Sequence, residues 1–207
     1  MTAPLSSEHP SITPLPQRTY NGVFALVLIN LVLYILDHPL NLPLESLYLN
    51  HSNPSWHQFV TSLFCHANWT HLSSNIFMLY IFGRLIEEDE GVFGVISVYL
   101  LTGTVANGLS WILQPSSIVS LGASGAVFGL FVVSVLLKLS WDWRRMIEVI
   151  VLGQFVVSQV LGEIQQLGLQ DGVNRIAHLG GAIAGGLLVI VLRKIVGNTD
   201  SSASNIQ

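Results

Sequence analysis

Two glycine-rich segments of the chain carry residue types that can do nucleophilic chemistry together. Ser124 lies in the segment LGASGAVFG, residues 121–129, and His178 lies in the segment AHLGGAIAGG, residues 177–186. A serine hydroxyl acts as a nucleophile at neutral pH when a general base takes its proton, and imidazole is the usual base. No Asp or Glu lies in the middle of an apolar segment. The two residues therefore predict a Ser-His dyad rather than a triad.

The glycines around these residues predict how the dyad would form. Gly122 and Gly125 flank the serine and let the backbone turn sharply there. Two pairs of glycines stand four residues apart, namely Gly125 with Gly129 and Gly181 with Gly185. If these two small-residue faces meet, the backbones come close and His178 reaches Ser124. The alternative is that the same residues pack helices together and do no chemistry.

His71 and Asn75 are four residues apart and therefore share one face of a helix. Both side chains can donate hydrogen bonds to a developing negative charge, as can free N–H groups in the first turn of the helix that Ser124 begins. His71, Asn75 and the Ser124 N–H are therefore candidates for the donors that an oxyanion hole requires. The alternatives are an interhelical hydrogen bond for Asn75 and a place at the membrane interface for His71.

A further histidine, His66, lies five residues before His71, which puts the two on different faces of a helix. We therefore expect no metal site from this pair, and the HExxH pattern of zinc proteases is absent from the sequence. His66 is expected to fix the loop that leads into the helix of His71. Neither a metal nor another cofactor is expected.

The composition places all these residues in an integral membrane protein. Of 207 residues only 10% are charged, whereas a soluble domain carries roughly 25%. No Asp, Glu, Lys or Arg occurs between Gly91 and Leu137. Such a run must be covered by lipid or protein, which excludes a disordered chain, a nucleic-acid-binding protein and most cytosolic enzymes. Membrane lipid is therefore an expected partner, and nucleic acid is not.

The apolar segments predict an all-α membrane protein, a bundle of six transmembrane helices. At about 20 residues a span, the chain has room for six short spans and their loops. The predicted spans are residues 23–36, 71–86, 92–113, 124–138, 144–162 and 176–192. The long first loop, residues 37–69, is rich in Leu, Trp and Phe, so we expect it to be partly embedded in the membrane. The predicted organisation is a flexible N-terminal tail 1–20, a six-span domain 21–196 and a disordered C-terminal tail 197–207.

The basic residues predict the orientation of these spans. Six spans put both termini on one side, and the positive-inside rule assigns that side to the cytoplasm. Ser124 and His178 then lie in the outer half of the membrane. Arg175 is the one basic residue expected on the outer side. Those expected on the cytoplasmic side are Arg18, Arg84, Lys138, Arg144, Arg145, Arg193 and Lys194.

With these residues in place, the chain resembles the rhomboid intramembrane serine proteases over nearly its whole length. The resemblance implies the rhomboid bundle of six spans with a lateral first loop, and cleavage of transmembrane or juxtamembrane segments of other membrane proteins. The residues that carry it are His66, His71, Asn75, Gly83, Glu87, the G-x-S-G of Gly122 to Gly125, and the A-H-x-x-G of Ala177 to Gly181.

The resemblance also implies a role for each site residue. Ser124 would be the nucleophile, His178 the general base, and His71 and Asn75 the side chains of the oxyanion hole. Phe128, one turn after the serine, would be the aromatic ring that packs against the imidazole. Supporting positions would be Gly122, Gly125, Phe128, His66, Gly181 and Gly185.

One departure from the family pattern lies in the first loop. Rhomboids often carry Trp-Arg there, whereas this chain has Trp56-His57, and histidine lacks the fixed fork of a guanidinium. The segments 64–69 and 142–145 are similar to those of rhomboids from cyanobacteria and plastids. We expect a bacterial plasma membrane, with a plastid-type membrane as the alternative.

Two other functions compete with proteolysis. A catalytically silent rhomboid-like protein would bind membrane segments for quality control or trafficking, but such relatives usually lack the serine or the histidine. Ser124 and His178 are both present, which favours the enzyme. A small transporter would show paired half-sequences with broken helices, and the sequence shows no internal repeat.

Overall fold

The computed structural model describes residues 21–139, 142–169 and 171–204, with only the backbone described for residue 145 and residues 196–204. These residues form a helical bundle with one short two-stranded ribbon. The helices are α1 (Asn21–Asp37), α2 (Gln58–Thr61), α3 (Trp69–Leu113), α4 (Ser124–Leu137), α5 (Trp143–Gln165) and α6 (Arg175–Ser204). The predicted tail 1–20 lies outside the described residues.

Three of the described helical segments are long and apolar enough to cross a membrane, namely Trp69–Leu113, Met146–Gln165 and Arg175–Ile195. Helices α1 and α4 are apolar but shorter, with 17 and 14 residues. These helices coincide with the predicted spans, so the prediction of a helical membrane protein is confirmed. The count of six spans stays a prediction.

The second and third predicted spans are the two legs of α3. The helix is interrupted at Gly91, where φ is 73° and ψ is −176°. Residues with a side chain rarely adopt this positive φ, so a glycine suits the break. We call residues 69–90 the first leg of α3 and residues 92–113 its second leg.

Glu87, near the end of the first leg, holds α1 in place. Its carboxylate is buried and accepts hydrogen bonds from the N–H groups of Gly22 and Val23, both at 2.8 Å. These groups lie in the first turn of α1 and have no acceptor within that helix. The negative charge also complements the positive end of the helix dipole. Glu87 therefore caps α1 from a neighbouring element.

The first loop packs onto the bundle through backbone and polar contacts. Its strand β1 (Leu49–Asn50) pairs antiparallel with β2 (Val119–Ser120), which lies just before α4. The hydroxyl of Tyr99, on the second leg of α3, donates to the Leu63 carbonyl at 2.9 Å. The loop and the segment before α4 are thus fixed to one another. Embedding of this loop in the membrane stays a prediction.

His57 stands where rhomboids often have an arginine after the tryptophan, and its side chain contacts the backbone of the first loop. His57 Nε2 lies 3.3 Å from the Ser46 carbonyl. The neighbouring Gln58 donates its side-chain amide to the same carbonyl at 3.1 Å. Two adjacent side chains, His57 and Gln58, therefore contact the same backbone carbonyl of the first loop.

Helix α4 lies at the centre of the bundle and packs against α3 and α6. Every residue from Gly125 to Phe131 is buried, as are Val133 and Ser134. A helix that is apolar on all sides is expected to be buried in this way. The residue that begins α4 is Ser124, so the candidate nucleophile stands on the most buried helix.

Helix α6 extends beyond its predicted span. It runs on to Ser204, past the predicted end of the span at Leu192. The backbone of residues 197–204 is helical, where the sequence predicts a disordered tail. Residues 205–207 lie outside the described part of the chain.

Candidate active site

Ser124 is the first residue of α4, and the turn before it is fixed by the first loop. The N–H of Gly122 donates to the Ser62 carbonyl at 2.9 Å. The N–H of Ala123 donates to Nε2 of His66 at 3.4 Å. These two hydrogen bonds hold both residues before the serine, so the serine enters the helix from a defined backbone.

Gly122 occupies a position that only glycine fits. Its φ of 126° lies in the region that side chains rarely adopt. A Cβ atom there would also lie 2.6 Å from Cε1 of His71. The glycine therefore lets the His71 ring lie directly against the backbone of the turn that leads to Ser124.

The start of α4 offers unused backbone donors. Its first helical hydrogen bond runs from the N–H of Val127 to the Ala123 carbonyl at 2.9 Å. The N–H groups of residues 124–126 thus have no acceptor within the helix, as at any helix start. Donors at the positive end of a helix suit a developing negative charge beside the Ser124 hydroxyl.

His178 lies in the first turn of α6, and its ring is fixed by an aromatic contact. The imidazole stacks on Phe128 with ring centroids 4.6 Å apart and planes only 8° from parallel. Phe128 lies one turn after Ser124 on α4. Ser124 and His178 line the same cavity, of about 1300 Å³. The structure thus brings the predicted nucleophile and base to one water-accessible space.

The two glycine faces meet as the sequence predicts. A Cβ atom on Gly181 would overlap the carbonyl oxygen of Gly125, and one on Gly185 would lie 2.7 Å from the carbonyl oxygen of Gly129. The backbones of α4 and α6 are therefore in direct contact over one turn. This contact brings the first turns of the two helices, which carry Ser124 and His178, side by side.

The start of α6 is positioned by Asn174, which the sequence analysis did not single out. Its side-chain oxygen accepts from the N–H of Ala177 at 3.0 Å, as a helix N-cap does. Its amide nitrogen donates to the hydroxyls of Ser110 at 2.6 Å and Ser120 at 2.9 Å. An Asn before an apolar helix is an N-cap signal, but its two serine partners are distant in sequence.

His71 and Asn75 both line the cavity from the first leg of α3. The Asn75 amide donates one hydrogen bond to the His71 carbonyl at 2.9 Å. An amide nitrogen has two hydrogens, so the other remains for a group in the cavity. The structure therefore places both predicted side-chain donors beside the space that Ser124 and His178 share.

His66 does more than the sequence analysis expected of it. It is fully buried, and it holds the turn before α4 rather than only the loop into α3. Its ring lies 5.0 Å from that of His71, edge to face. The expectation of different helix faces does not apply, because His66 precedes the helix. Burial, and then the neighbouring His71, lower the pKa of His66 to about 3, so it is neutral.

A carboxylate lies beside the imidazole, which the sequence analysis missed. Oε1 of Glu163, near the end of α5, is 3.0 Å from Nδ1 of His178. The other oxygen, Oε2, lies 3.9 Å from Nε of Arg175. Arg175 in turn donates to both carboxylate oxygens of Asp171, at 2.7 and 2.6 Å. These hydrogen bonds lower the pKa of Asp171 well below its usual range.

Glu163 does not lie in the middle of a predicted span, where an acidic partner for His178 would have been recognised from the sequence. The residue lies where α5 leaves the apolar region, and the fold then brings it next to α6. The sequence feature that could have indicated Glu163 is Arg175, the one basic residue on the predicted outer side. An isolated charge at that depth calls for an acidic partner.

Comparison with known proteins identifies the same family as the motifs. The Rhomboid domain family matches residues 53–195 of this chain. The chain is 53% identical over 190 residues to Rhomboid-like protein 11, chloroplastic, of Arabidopsis thaliana, which covers 86% of this chain and 68% of that protein.

Two bacterial relatives carry the word protease in their names. The chain is 28% identical to the putative rhomboid protease YdcA of Bacillus subtilis, over 66% of this chain and 67% of that protein. It is 26% identical to the rhomboid protease AarA of Providencia stuartii, over 80% of this chain and 70% of that protein.

Proposed function

This chain belongs to the rhomboid family, and we propose that it is an intramembrane serine endopeptidase that cleaves transmembrane or juxtamembrane segments of other membrane proteins. The observation that carries the proposal is the arrangement of Ser124 and His178. The two residues line one cavity from the first turns of α4 and α6, whose glycine faces are in backbone contact. The protease relatives from two bacteria support the same activity.

In the proposed reaction, the Ser124 hydroxyl attacks the carbonyl carbon of the scissile peptide bond. Nε2 of His178 takes the hydroxyl proton as the new C–O bond forms. The tetrahedral intermediate then collapses, its C–N bond breaks, and the imidazolium gives its proton to the leaving amine. Water enters the cavity and hydrolyses the acyl-enzyme by the same steps, which regenerates the serine.

The negative oxygen of the intermediate would be stabilised by three groups. The Ser124 N–H lies at the start of α4, where the helix provides no acceptor for it. Asn75 has one amide hydrogen left after its bond to the His71 carbonyl. The ring of His71 lies against Gly122, just before the nucleophile. Removal of one such donor commonly lowers kcat by about 10²- to 10³-fold.

The substrate would enter beside α5. The cavity is walled on one side by the first leg of α3, including Ser74 and Met78, and on another by Gln159 and Glu163 of α5. Most side chains of α5 are exposed, and its packing on the bundle is confined to one face that includes Phe155 and Val156, so α5 is less firmly held than α4. We propose that the cap and the gate of the site lie within residues 158–169 and 171–175.

The proposed topology has six spans and both termini in the cytoplasm. The six are α1, the two legs of α3, α4, α5 and α6, and they place the site in the outer half of the bilayer. We propose a bacterial plasma membrane as the location. The alternative is a plastid-type membrane, which the chloroplastic relative supports.

A second candidate is a catalytically silent rhomboid-like protein that binds membrane segments for quality control or trafficking. The observation in its favour is the name of the 53% identical relative, which is "rhomboid-like" and does not include the word protease. The two candidates differ in one respect that can be measured, namely whether the serine reacts.

The proposal is tested by cleavage of single-span reporters, with small residues in their spans, by the purified protein in proteoliposomes. We expect Ser124→Ala and His178→Ala each to lower the rate by about 10³-fold or more. The matched control is Ser134→Ala, because Ser134 is a buried serine of the same helix whose hydroxyl donates to the Phe131 carbonyl at 2.9 Å.

The outcomes separate the candidates. Cleavage that is lost in both dyad variants and kept in the control supports the protease. A folded wild type that leaves every reporter intact supports the silent binding protein. Cleavage that survives Ser124→Ala would show that the nucleophile is assigned incorrectly.

A further inference from the structure

The imidazole of His178 is contacted on two sides, and only one of these contacts is expected from the sequence. Phe128 covers one face of the ring. Glu163 approaches the ring edge, with Oε1 3.0 Å from Nδ1. Both groups are shielded, since the side chains of His178 and Glu163 are 12% and 16% exposed.

The polar atoms in this contact have few other partners. Nδ1 of His178 and Oε2 of Glu163 are buried and make no aligned hydrogen bond to any described residue, and the same holds for Nε of Arg175. Buried polar groups without partners are costly. Oε1 of Glu163, at 3.0 Å, is therefore placed to accept a hydrogen bond from Nδ1 of His178 after a small rotation of the imidazole ring.

We propose that Glu163 is a positioning residue for His178, so that the site works as a Ser-His-Glu triad. This inference rests on the proposed protease function. A carboxylate facing Nδ1 keeps the proton of a neutral imidazole on that nitrogen, which leaves the Nε2 lone pair for the Ser124 hydroxyl. When Nε2 takes the hydroxyl proton, the carboxylate stabilises the imidazolium, and the Nδ1 proton stays where it is.

Arg175 gives the carboxylate its place. Arg175 is only 4% exposed, and its guanidinium is held by Asp171 at 2.6 Å and by the Gln166 side chain at 2.9 Å. With these bonds made, Nε faces Oε2 of Glu163 at 3.9 Å. A buried carboxylate is stable only when paired, so Arg175 supports the charge that His178 uses.

The position of Glu163 also couples the base to the gate. Glu163 belongs to α5, whereas His178 and Arg175 belong to α6. If α5 moves aside to admit a substrate, the carboxylate moves with it. The imidazole is then fully oriented only when α5 has returned against α6.

The test compares Glu163→Gln with wild type in the proteoliposome cleavage assay. The amide keeps the shape of the side chain and removes its charge. We expect kcat to fall by about 10- to 100-fold with KM unchanged, less than the roughly 10⁴-fold loss in a fully aligned triad. The matched control is Glu148→Gln on the same helix, because Glu148 is half exposed and pairs with Lys138 at 3.5 Å, away from the cavity. It should leave both constants unchanged.

A pH profile separates positioning from a merely structural role. The charged or titratable groups around the ring are Glu163 from α5, His71 from α3, Arg175 on α6 itself and Asp171 before it. Loss of the one carboxylate at Nδ1 makes the imidazolium less stable. The acidic limb of the kcat profile should therefore move to lower pH in Glu163→Gln, and Glu163→Asp should restore part of the rate.

A spectroscopic readout tests the inference without proteolysis. In ¹⁵N-histidine-labelled protein in nanodiscs, at a pH where the ring is neutral, His178 should carry its proton on Nδ1, and Glu163→Gln should move part of it to Nε2. An unchanged tautomer, or unchanged kcat and pH profile in a cleaving protein, would overturn the role of Glu163. Failure of proteolysis itself would instead appear as a wild type that does not cleave.

Discussion

Helices α4 and α5 follow one another in the chain and both contribute to the candidate site, yet they are held in opposite ways. Every residue of α4 from Gly125 to Phe131 is buried. In α5, Val156 is the one buried side chain among those that the structure describes. The candidate nucleophile thus stands on a helix that is packed on all sides, whereas Glu163 stands on a helix that packs against the core along one face only, through residues such as Phe155 and Val156.

The kind of contact differs as well as its extent. Helix α4 meets α6 through backbone atoms at Gly125 and Gly129, where no side chain can intervene. Helix α5 meets α6 through the charged pairs of Glu163 with His178 and with Arg175. Close packing tolerates little displacement, while a charged contact at a helix end can be broken and re-formed. This difference suits the proposed function, in which Ser124 stays fixed and a substrate enters beside α5.

The largest effect should come from a methyl group in the α4–α6 contact. In Gly181→Ala the new Cβ would overlap the Gly125 carbonyl oxygen. We expect a loss of about 3 kcal/mol or more, or roughly 10 °C in Tm, because backbone cannot yield as a side chain does. Thermal unfolding in detergent measures it.

The matched glycine lies on α5. A Cβ on Gly153 would meet only Val135 Cγ1 at 3.8 Å, an ordinary contact. Gly153→Ala should therefore leave the free energy of unfolding unchanged or raise it by up to about 1 kcal/mol through helix propensity, and Tm should not fall. Equal losses at the two positions would break the comparison between a packed helix and a loosely held one.

A smaller effect should appear in the pH dependence of stability. The turn before α4 depends on neutral His66, whose pKa burial lowers to about 3 from the ordinary value of 6.5. Between these values the unfolded chain binds a proton that the folded chain does not, so stability falls as pH decreases from 6.5 towards 3.

The variant His66→Gln isolates this contribution. The glutamine oxygen can still accept from the Ala123 N–H, but it does not titrate in this range. We expect the drop in Tm between pH 7 and pH 4 to be smaller in the variant than in wild type. Burial also lowers the pKa of His51, so part of the drop should remain. An identical drop in both proteins would mean that His66 is not the titrating group.

The sequence predicts the helices and the α4–α6 contact because both follow from short patterns. The break at Gly91 comes directly after an acidic run of four residues. Helix α4 begins at Ser124, which has a glycine on each side, Gly122 and Gly125. Glycines four apart on two apolar helices predict close backbones, and the structure has them. Such features depend on residues within one or two turns of each other.

The features that the sequence did not predict join residues that are distant in the chain. The two-residue pairing of β1 with β2 has no pattern of its own. The bond from the Ala123 N–H to His66 spans 57 positions. Glu163 sits at a helix end, where an acid is unremarkable until α6 is placed beside it.

The most direct test of the central claim is the reactivity of Ser124 itself, which needs no substrate. A fluorophosphonate should attach covalently to Ser124 of the wild type reconstituted in a membrane, and peptide mass spectrometry would identify the labelled residue. The variant His178→Ala should not be labelled at Ser124. A folded wild type without label at Ser124, or equal labelling in His178→Ala, would contradict the account that His178 activates this serine.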